Sequence, residues 1–278
     1  MSSPGSRSVH LHRISKAAPT IDRDLVAVEE PLEVRINGAS FAVIMRTPGA
    51  DRDLAAGFLL AEDVIRGSHE LATIEYCEDA DDEGRENTLN VTVIGDAVDR
   101  LEVRLGERRQ VMMTASCGLC GRRTIESLRS RMAAVSGRWA VSADVIRSLP
   151  PTLRLAQDVF ESTGGLHAAG LFALDGQLTL LAEDVGRHNA VDKVVGRRLL
   201  EDRLPLDQSL LMVSGRTSFE LVQKALLAGI PLIAAVSAPS SLAIDLAEQS
   251  GVTLCGFLRG ETFNVYANAQ RISEASPA

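Results

Sequence analysis

Residues 210–236, LLMVSGRTSFELVQKALLAGIPLIAAV, indicate the fold class of this chain. Two short, uniformly apolar segments, 210–213 and 232–236, flank a stretch with helical spacing at 218–228 that ends at Gly229. Short apolar strands joined by helices are typical of a parallel sheet that is covered on both faces. We therefore predict an α/β fold with right-handed crossovers around this stretch.

The neighbouring sequence continues this pattern on both sides, with apolar residues at helical or alternating spacing. The predicted elements are a helix at 153–162, a hairpin of 169–174 and 178–182 around Asp175-Gly176, helices at 188–201 and 241–249, and a strand at 252–257. The second half of the chain is thus the more regular one.

The first half reads as mixed strands and helix. Asn37-Gly38 separates the alternating segments 32–36 and 41–45, which predicts a hairpin with a tight turn. Apolar residues at helical spacing predict a helix at 53–65, and the acidic run 78–86 predicts a solvated loop between two further strands.

The length of 278 residues favours two domains. Pro150-Pro151 marks a plausible hinge between them. The predicted division is a disordered tail at 1–24, an α+β domain at 25–150, an α/β domain at 151–272 and a short tail at 273–278.

The composition restricts the class of protein. Hydrophobic residues make up 45% and charged residues 24%, and no apolar run reaches the roughly 20 residues of a membrane helix, so we expect a soluble protein without membrane insertion. A net charge of -8 argues against a nucleic-acid partner. Four scattered cysteines favour a reducing compartment, and the first twenty residues lack the apolar core of a secretory signal.

The ligand site is expected beyond the carboxyl ends of the strands, where helix N-termini expose unpaired N–H groups. Arg187, Arg216 and Arg259 fall in loops at this edge, and three arginines in an acidic protein favour an anionic ligand with phosphates. The chain has neither a G-x-x-x-x-G-K-[ST] motif nor a G-x-G-x-x-G motif after a strand, so an ordinary NTPase or a dinucleotide dehydrogenase has no support. The loops at this edge are 183–189, 214–217, 237–240 and 258–261.

Two histidines lie near the same loops, and both functional and structural roles are open for them. His167 follows Gly164-Gly165 and could simply hold its loop, whereas His188 lies inside the polar loop 183–189. Thr217 and Glu220 have the spacing of a capping box, which predicts that part of the polarity there serves the start of a helix.

A cysteine pair, Cys117 and Cys120, stands in the stretch 113–124, MTASCGLCGRRT. A zinc half-site, a redox dithiol and a sulfur-carrying thiolate are the three alternatives. Structural zinc needs four ligands and catalytic zinc three, whereas Cys77 and Cys255 lie alone in apolar, strand-like surroundings, so we predict no metal site.

The local charges favour a reactive thiolate at Cys117. Arg122 and Arg123 supply positive charge, a helix predicted at 123–136 supplies its N-terminal dipole, and the C-x-x-C spacing itself lowers a thiol pKa. From spacing alone, the pair is reactive or metal-binding.

Four motifs together resemble the formate dehydrogenase accessory sulfurtransferase (FdhD) family over residues 25–272. The motifs are TASCGLCG at 114–121, EDVGRHNAVDK at 183–193, SGRTSFELVQK at 214–224 and SAPSSLA at 237–243. The resemblance implies a C-terminal cytidine-deaminase-like three-layer domain with a mixed, largely parallel sheet, and a smaller N-terminal α+β domain.

The resemblance also implies a function. It implies a cytoplasmic homodimer that receives sulfur from a cysteine desulfurase as a persulfide on Cys117, with Cys120 as an assisting thiol. The sulfur would pass to the molybdenum cofactor, bis-molybdopterin guanine dinucleotide, which is destined for formate dehydrogenase. The residues expected to bind this cofactor are Phe257, Leu258, Arg259, Gly260, Glu261, Thr262, Arg187, His188, Ser214, Gly215 and Arg216.

Two alternatives remain at this point. A zinc-dependent deaminase would place His-x-Glu and Pro-Cys-x-x-Cys at two helix starts, but the chain has His188-Asn-Ala190 and Ser214-Gly-Arg-Thr-Ser218 there. A non-catalytic chaperone that holds the cofactor would need Arg216 and Arg259 but not Cys117.

Overall fold

The computed structural model describes residues 5–14, 20–77, 86–114, 135 and 139–274. Its strands are β1 (Ser6–Arg13), β2 (Thr20–Ala27), β3 (Glu30–Ile36), β4 (Ala39–Arg46), β5 (Leu71–Tyr76), β6 (Thr88–Val93), β7 (Val141–Ser142), β8 (His167–Phe172), β9 (Leu178–Asp184), β10 (Leu210–Val213), β11 (Leu232–Ala235), β12 (Thr253–Arg259), β13 (Thr262–Ala267) and β14 (Ile272–Ser273). Its α-helices are α1 (Asp51–Ala61), α2 (Asp96–Thr114), α3 (Ala143–Leu155), α4 (Asp158–Thr163), α5 (Arg187–Leu200), α6 (Phe219–Leu227) and α7 (Ser241–Ser250).

The larger sheet has six strands in the order β13-β12-β11-β10-β8-β9. The pairs β10–β11 and β11–β12 are parallel, as the 210–236 stretch predicts, with Leu210 opposite Leu232 and Leu232 opposite Thr253. The pairs β8–β10, β8–β9 and β12–β13 are antiparallel. The prediction of a mixed sheet is therefore confirmed, but "largely parallel" is wrong, because three of the five strand pairs in this sheet are antiparallel.

Helices cover both faces of this sheet, and the strands show why. Alternate residues of β10 enter opposite layers: Leu211 and Val213 pack with α5, α6 and α7, whereas Leu210 and Met212 pack with Ile146 of α3. All four of these strand residues are at most 1% exposed. A strand that is buried on both faces reads as a continuous apolar run, which is why the sequence locates it so well.

The smaller sheet has the order β4-β3-β6-β5. The predicted hairpin of β3 and β4 is confirmed, and both turn residues have positive φ, 49° at Asn37 and 82° at Gly38. Positive φ at both positions is the geometry that favours Asn-Gly in two-residue hairpins. The Asn37 side chain also accepts a hydrogen bond from the Val93 N–H at 3.0 Å, which ties the turn to β6.

The two halves of the chain share one core, so the predicted division into two domains does not correspond to two separate cores. Helix α1 crosses α5 at Gly57 and Gly196, where a Cβ on either glycine would overlap the backbone of the other helix. A methyl group is the smallest side chain, so only glycine permits this approach.

The predicted hinge at Pro150-Pro151 is wrong. Both prolines lie inside helix α3, which begins at an N-cap where Ser142 Oγ accepts a hydrogen bond from the Val145 N–H. Helix α3 packs on the larger sheet, and β7 before it pairs with β14 at the end of the chain. Tertiary packing of the apolar face of the helix thus outweighs the missing proline N–H groups.

The predicted tail at 1–24 and the end of the chain also need correction. Strand β1 pairs with β2 along its whole length, and Val28 N–H donates to Gly5 O. This hairpin is mostly polar and exposed, so no hydrophobic pattern identifies it from the sequence. At the other end, β14 pairs with β7 as far as Ser273, so the first residue of the predicted tail at 273–278 belongs to a strand.

Some predictions fall outside the described residues. They are the helix at 123–136, the cysteine pair, and the acidic run apart from Glu86. Within the described residues, α2 was not predicted, and no helix there combines the length and apolar character that crossing a membrane requires.

Candidate functional site

A groove of about 640 Å³ opens at the carboxyl ends of the parallel strands. Its floor is formed by one residue from each of four neighbouring strand ends, His167, Ser214, Val236 and Leu258. Strand β8 is antiparallel to β10, so its first residue, His167, lies at the edge where β10 ends. The groove therefore lies where open α/β sheets bind their ligands. The remaining residues that line the groove are Pro150, Pro151, Leu153, Arg154, Gln157, Phe160, Gly164, Gly165 and Leu166.

Hydrogen bonds fix the loops that follow β10 and β11. Ser214 Oγ accepts from Ala168 N–H at 2.9 Å, and Ser214 N–H donates to Ala168 O at 3.0 Å. Thr217 N–H donates to Ala238 O, and Ser240 N–H donates to Thr217 O. Loops at a ligand edge that hydrogen-bond to one another hold their polar groups in place before a ligand arrives.

Arg187 and Gly215 lie next to His167, one of the residues that form the floor of the groove. A Cβ on Gly215 would lie 3.3 Å from both Arg187 Cδ and His167 Nδ1, so Gly215 leaves room for both side chains. The Arg187 Nε is buried, and no hydrogen-bond acceptor among the described residues contacts it. A buried guanidinium N–H without a partner is a donor that an anionic ligand could satisfy.

His167 is held in its neutral form. Burial lowers the pKa of His167, the positive charge of Arg187 lowers it further, and the Asp184 carboxylate opposes both effects. A neutral imidazole at the floor of the groove can both donate and accept hydrogen bonds.

His188, the first-turn residue of α5, contacts the N-terminus of α6. Its Nε2 lies 3.0 Å from Ser218 Oγ and 3.6 Å from Glu220 Oε2. Burial lowers the pKa of His188, and the Glu220 carboxylate opposes this. Arg187 and Lys224 add to the lowering, so the ring is neutral at pH 7.

Some residues of the EDVGRHN motif at 183–189 lie at the ligand edge, whereas others hold the scaffold together. The sequence alone does not predict which residues do which. Asp184 is fully buried and accepts hydrogen bonds from Thr47 N–H, Gly186 N–H and the Asn189 amide. Lys193 Nζ lies 2.7 Å from Asp184 Oδ2 and donates to Thr47 O at 2.8 Å. These residues fasten α5 to the loop before α1.

Glu183 also has a structural role. Its two carboxylate oxygens accept from the N–H groups of Val159 and Phe160 at 3.0 and 2.8 Å, in the first turn of α4. Acidic side chains are favourable there because helix N-termini carry unpaired donors. Both halves of the motif are polar in sequence, so only contacts distinguish them.

The predicted cofactor loop at 257–262 is a strand end and a tight turn. Arg259 pairs with Thr262, and Gly260 and Glu261 form the turn between β12 and β13. Leu258 is 2% exposed and faces the groove, whereas Phe257, with φ 54°, is exposed. The sequence does not predict the second strand of this hairpin, because the exposed and partly buried residues of β13 follow no regular alternation.

The hairpin turn is held by neighbouring arginines. The Arg259 guanidinium lies 5.7 Å from the centre of the Phe257 ring, and Arg147 Nε donates to Glu261 O at 2.9 Å. Thr262 Oγ1 and Arg259 O are 3.4 Å apart. Arg216 is also exposed, and no described carboxylate pairs with it. Of the three predicted arginines, Arg187 lies beside His167 next to the groove, while Arg216 and Arg259 are exposed near the strand edge.

The predicted catalytic residues Cys117 and Cys120 lie outside the described residues. Burial raises the pKa of Cys255 to about 12, in agreement with its prediction as an inert core thiol, and Cys77 is half-buried. In the part of the chain that the structure describes, no cluster of three or more His, Cys, Asp or Glu side chains could hold a metal ion.

The chain is similar to known proteins in both sequence and structure. The family model described as FdhD/NarQ family matches residues 27–273, which is most of the chain. This chain belongs to the FdhD/NarQ family. The family match covers all the residues that line the groove, and it also covers the cysteine pair.

The relatives in this family match nearly end to end. A protein from Nocardia farcinica named sulfur carrier protein FdhD is 51% identical over 266 residues, covering 95% of this chain and 94% of the relative. The protein of the same name from Streptomyces avermitilis is 49% identical over 269 residues, covering 94% and 93%. A crystal structure from Desulfotalea psychrophila, of a protein named as a formate dehydrogenase accessory protein, has a TM-score of 0.76 and 26% identity, and covers 97% of this chain and all of the other.

Proposed function

We propose that this protein is a sulfur carrier that serves formate dehydrogenase. The observation that carries the proposal is the 51% identity over 266 residues to a relative named sulfur carrier protein FdhD. The Desulfotalea psychrophila protein, named as a formate dehydrogenase accessory protein, supports the choice of client enzyme.

Cys117 is the proposed carrier of the sulfur atom. A thiolate is the nucleophile in sulfur chemistry, and the neighbouring Arg122 and Arg123 favour the thiolate form. A cysteine desulfurase would transfer one sulfane sulfur to Cys117 and leave a persulfide. We therefore propose that the protein acts as a sulfurtransferase and that the sulfur atom carried on Cys117 is the group that it transfers.

Cys120 would release that sulfur by thiol–disulfide exchange. The Cys120 thiolate would attack the Sγ of Cys117, form the Cys117–Cys120 disulfide and release the outer sulfur as sulfide. The dithiol supplies both electrons that reduce sulfane sulfur to sulfide, so this step needs no other reductant. A reductant of the thioredoxin class would then return the disulfide to the dithiol.

The groove is the proposed site for the receiving molecule, bis-molybdopterin guanine dinucleotide, which is a client and not a resident cofactor. A volume of about 640 Å³ is typical of small-molecule sites, so the groove would accept one end of this large molecule. Arg187 beside the floor, and Arg216 and Arg259 on the surface around it, would bind its phosphates, since guanidinium groups pair well with phosphate oxygens.

The other predicted binding residues would contact different parts of the ligand. His188, Ser214 and Gly215 lie with Arg187 at the ends of β9 and β10, and Leu258 offers an apolar contact. The turn residues, from Arg259 to Thr262, would contact the outer part of the ligand. We also propose a cytidine-deaminase-like arrangement of the larger sheet, a homodimer, and a cytoplasmic location where a cysteine desulfurase is available.

A persulfide assay tests the proposal. The purified protein would be incubated with a cysteine desulfurase and cysteine, and peptide mass spectrometry would show which cysteine gains one sulfur atom. We expect the sulfur on Cys117, its loss when the molybdenum cofactor is added, and no formate dehydrogenase activation by Cys117→Ser. Cys77→Ser is the matched control and should behave as wild type.

Two outcomes would change the proposal. If Cys117→Ser still activates formate dehydrogenase while Arg216→Gln and Arg259→Gln do not, the protein is a cofactor chaperone rather than a sulfur carrier. If Cys120→Ser keeps full activity, the release step through the Cys117–Cys120 disulfide is wrong, but the carrier role of Cys117 stands.

A further inference from the structure

Four ionisable side chains form a row between helices α5 and α6. His188 and Asp192 lie four residues apart on α5, and Glu220 and Lys224 lie four residues apart on α6, so each pair shares one helix face. Lys224 Nζ lies 2.7 Å from Asp192 Oδ1 and 3.4 Å from Glu220 Oε1, and Glu220 Oε2 lies 3.6 Å from His188 Nε2. The row therefore links the ligand edge to the helix interface.

Burial increases along this row from the ligand edge inward. The side chains of Glu220 and His188 are 53% and 28% exposed, whereas those of Lys224 and Asp192 are 4% and 3% exposed. The inner pair is fixed by two short hydrogen bonds from Lys224 to both oxygens of Asp192. Glu220 thus has a fixed cation on one side and a titratable ring on the other.

We propose that His188 takes up a proton when an anionic ligand binds at the strand edge, and that Glu220 is the positioning residue that holds the protonated ring. The inference rests on the proposed function for the existence of an anionic ligand at this edge. The proton comes from solvent, and no covalent bond between heavy atoms changes.

The charges that face His188 explain why the ring is neutral before the ligand binds. Arg187 on its own helix, Lys224 on α6 and His167 on β8 all lower the pKa of His188, and burial lowers it most. Glu220 is the group that opposes them. One carboxylate thus opposes burial and the charges around the ring, and the net direction is a lowered pKa.

An anion on Arg187 would change this balance. The Arg187 Nε has no hydrogen-bond partner among the described residues, and the side chain lies against Gly215 at the strand edge, so we take this guanidinium as the contact for a phosphate. A phosphate there offsets the charge of Arg187, and an added negative charge within a few ångströms favours the protonated imidazole. The ring would then donate to Ser218 Oγ at 3.0 Å and face Glu220 at 3.6 Å.

Linkage fixes the sign of the pH dependence. The ligand raises the pKa of His188, so proton and ligand bind cooperatively. Ligand affinity is highest below the pKa of the free protein, falls as the pH rises through the interval between the free and bound pKa values, and is constant above the bound value. We expect binding at least about fivefold tighter at pH 6 than at pH 8.

Calorimetry with a non-titrating probe measures the proton directly. The probe is diguanosine pyrophosphate, in which each phosphorus carries one ester bond, one anhydride bond and one strongly acidic hydroxyl that stays ionised between pH 6 and 8. Titrating it into the full-length protein at pH 7, in buffers with different ionisation enthalpies, gives the number of protons taken up per bound probe. We expect clear uptake in wild type and its loss in His188→Gln.

Two further variants separate the positioning role of Glu220 from a structural one. Glu220→Gln should bind the probe yet take up fewer protons and lose most of the affinity difference between pH 6 and 8. Glu248→Gln, an exposed carboxylate on the neighbouring helix α7, and His12→Gln, an exposed histidine on β1, should keep the wild-type proton count.

Proton NMR of the histidine Cε1–H gives a second readout on the intact protein. The signal that is lost in His188→Gln should titrate at higher pH when the probe is present. Probe binding without proton uptake, or with uptake that His188→Gln retains, overturns the inference and leaves the proposed function intact. Absence of probe binding at millimolar concentration overturns both the inference and the groove as a phosphate site, while the persulfide assay still tests Cys117 independently.

Discussion

Lys193 Nζ lies 2.7 Å from Asp184 Oδ2, and the two side chains are 3% and 0% exposed. The same lysine donates to Thr47 O, and the same aspartate accepts from Thr47 N–H, so the two peptide groups that flank the Thr47 Cα are both held by this ion pair. A motif that looks like a ligand loop in sequence therefore also joins the two sheets of the protein.

Removing one charge of this pair should destabilise the fold strongly. Asp184→Asn leaves the Lys193 ammonium buried without a counter-charge, and loss of one partner of a buried pair costs about 3–5 kcal/mol in the free energy of unfolding. Urea denaturation followed by circular dichroism measures this. Glu161→Gln, which removes an exposed pair with Arg154, should leave the midpoint unchanged. A loss below about 1 kcal/mol for Asp184→Asn would mean that the pair is not buried.

The crossing of α1 and α5 gives a second stability prediction. An alanine at Gly57 would place its Cβ inside the carbonyl group of Asp192, and neither backbone can move without separating the helices. We expect Gly57→Ala to cost about 3 kcal/mol or more, at the upper end of overpacking effects. Thermal unfolding measures the change.

The matched control is the same substitution in an open position. Gly106 lies in helix α2, and a Cβ there contacts nothing within 4 Å. Alanine is the better helix former by about 1 kcal/mol, so Gly106→Ala should raise the melting temperature. If Gly57→Ala also raised it, the close crossing of α1 and α5 would be wrong.

The centre of the larger sheet could be predicted from sequence because its strands are buried on both faces. The predicted segment 210–213 is the observed β10, and the predicted strand 232–236 differs from β11 by one residue. The turn at Asn37-Gly38 was equally clear because its backbone geometry demands these residue types.

Features that depend on distant partners could not be predicted. Strand β1 is recognisable only through its pairing with β2, and Pro150-Pro151 fit inside a helix only because α3 packs on the sheet. For the site, polarity at the strand ends indicated the edge of the sheet at which the groove lies. It could not distinguish Arg187, with its unpartnered Nε, from Asp184, whose hydrogen bonds are internal.

Thiol reactivity should distinguish the cysteines. Burial raises the pKa of Cys255 to about 12, so its thiolate is scarce at pH 8 as well as inaccessible. In a Cys117→Ser/Cys120→Ser double variant, we expect the half-buried Cys77 to react slowly with a disulfide reagent and Cys255 to react only after unfolding in guanidinium. Two thiols that react quickly in the folded double variant would contradict the buried position of Cys255.

Filling the groove should block the proposed ligand without unfolding the protein. Val236 is half-buried and lines the groove at the end of β11, so Val236→Trp places an indole where a ligand would lie. We expect diguanosine pyrophosphate to bind at least about tenfold more weakly, a loss of about 1.4 kcal/mol. Leu155→Trp is the control, because Leu155 is 87% exposed at the end of α3 and does not line the groove. Calorimetric titration of both variants at one pH, with circular dichroism as the check on folding, gives the comparison. Equal affinity in Val236→Trp and wild type would move the ligand site away from this groove and onto the exposed arginines Arg216 and Arg259.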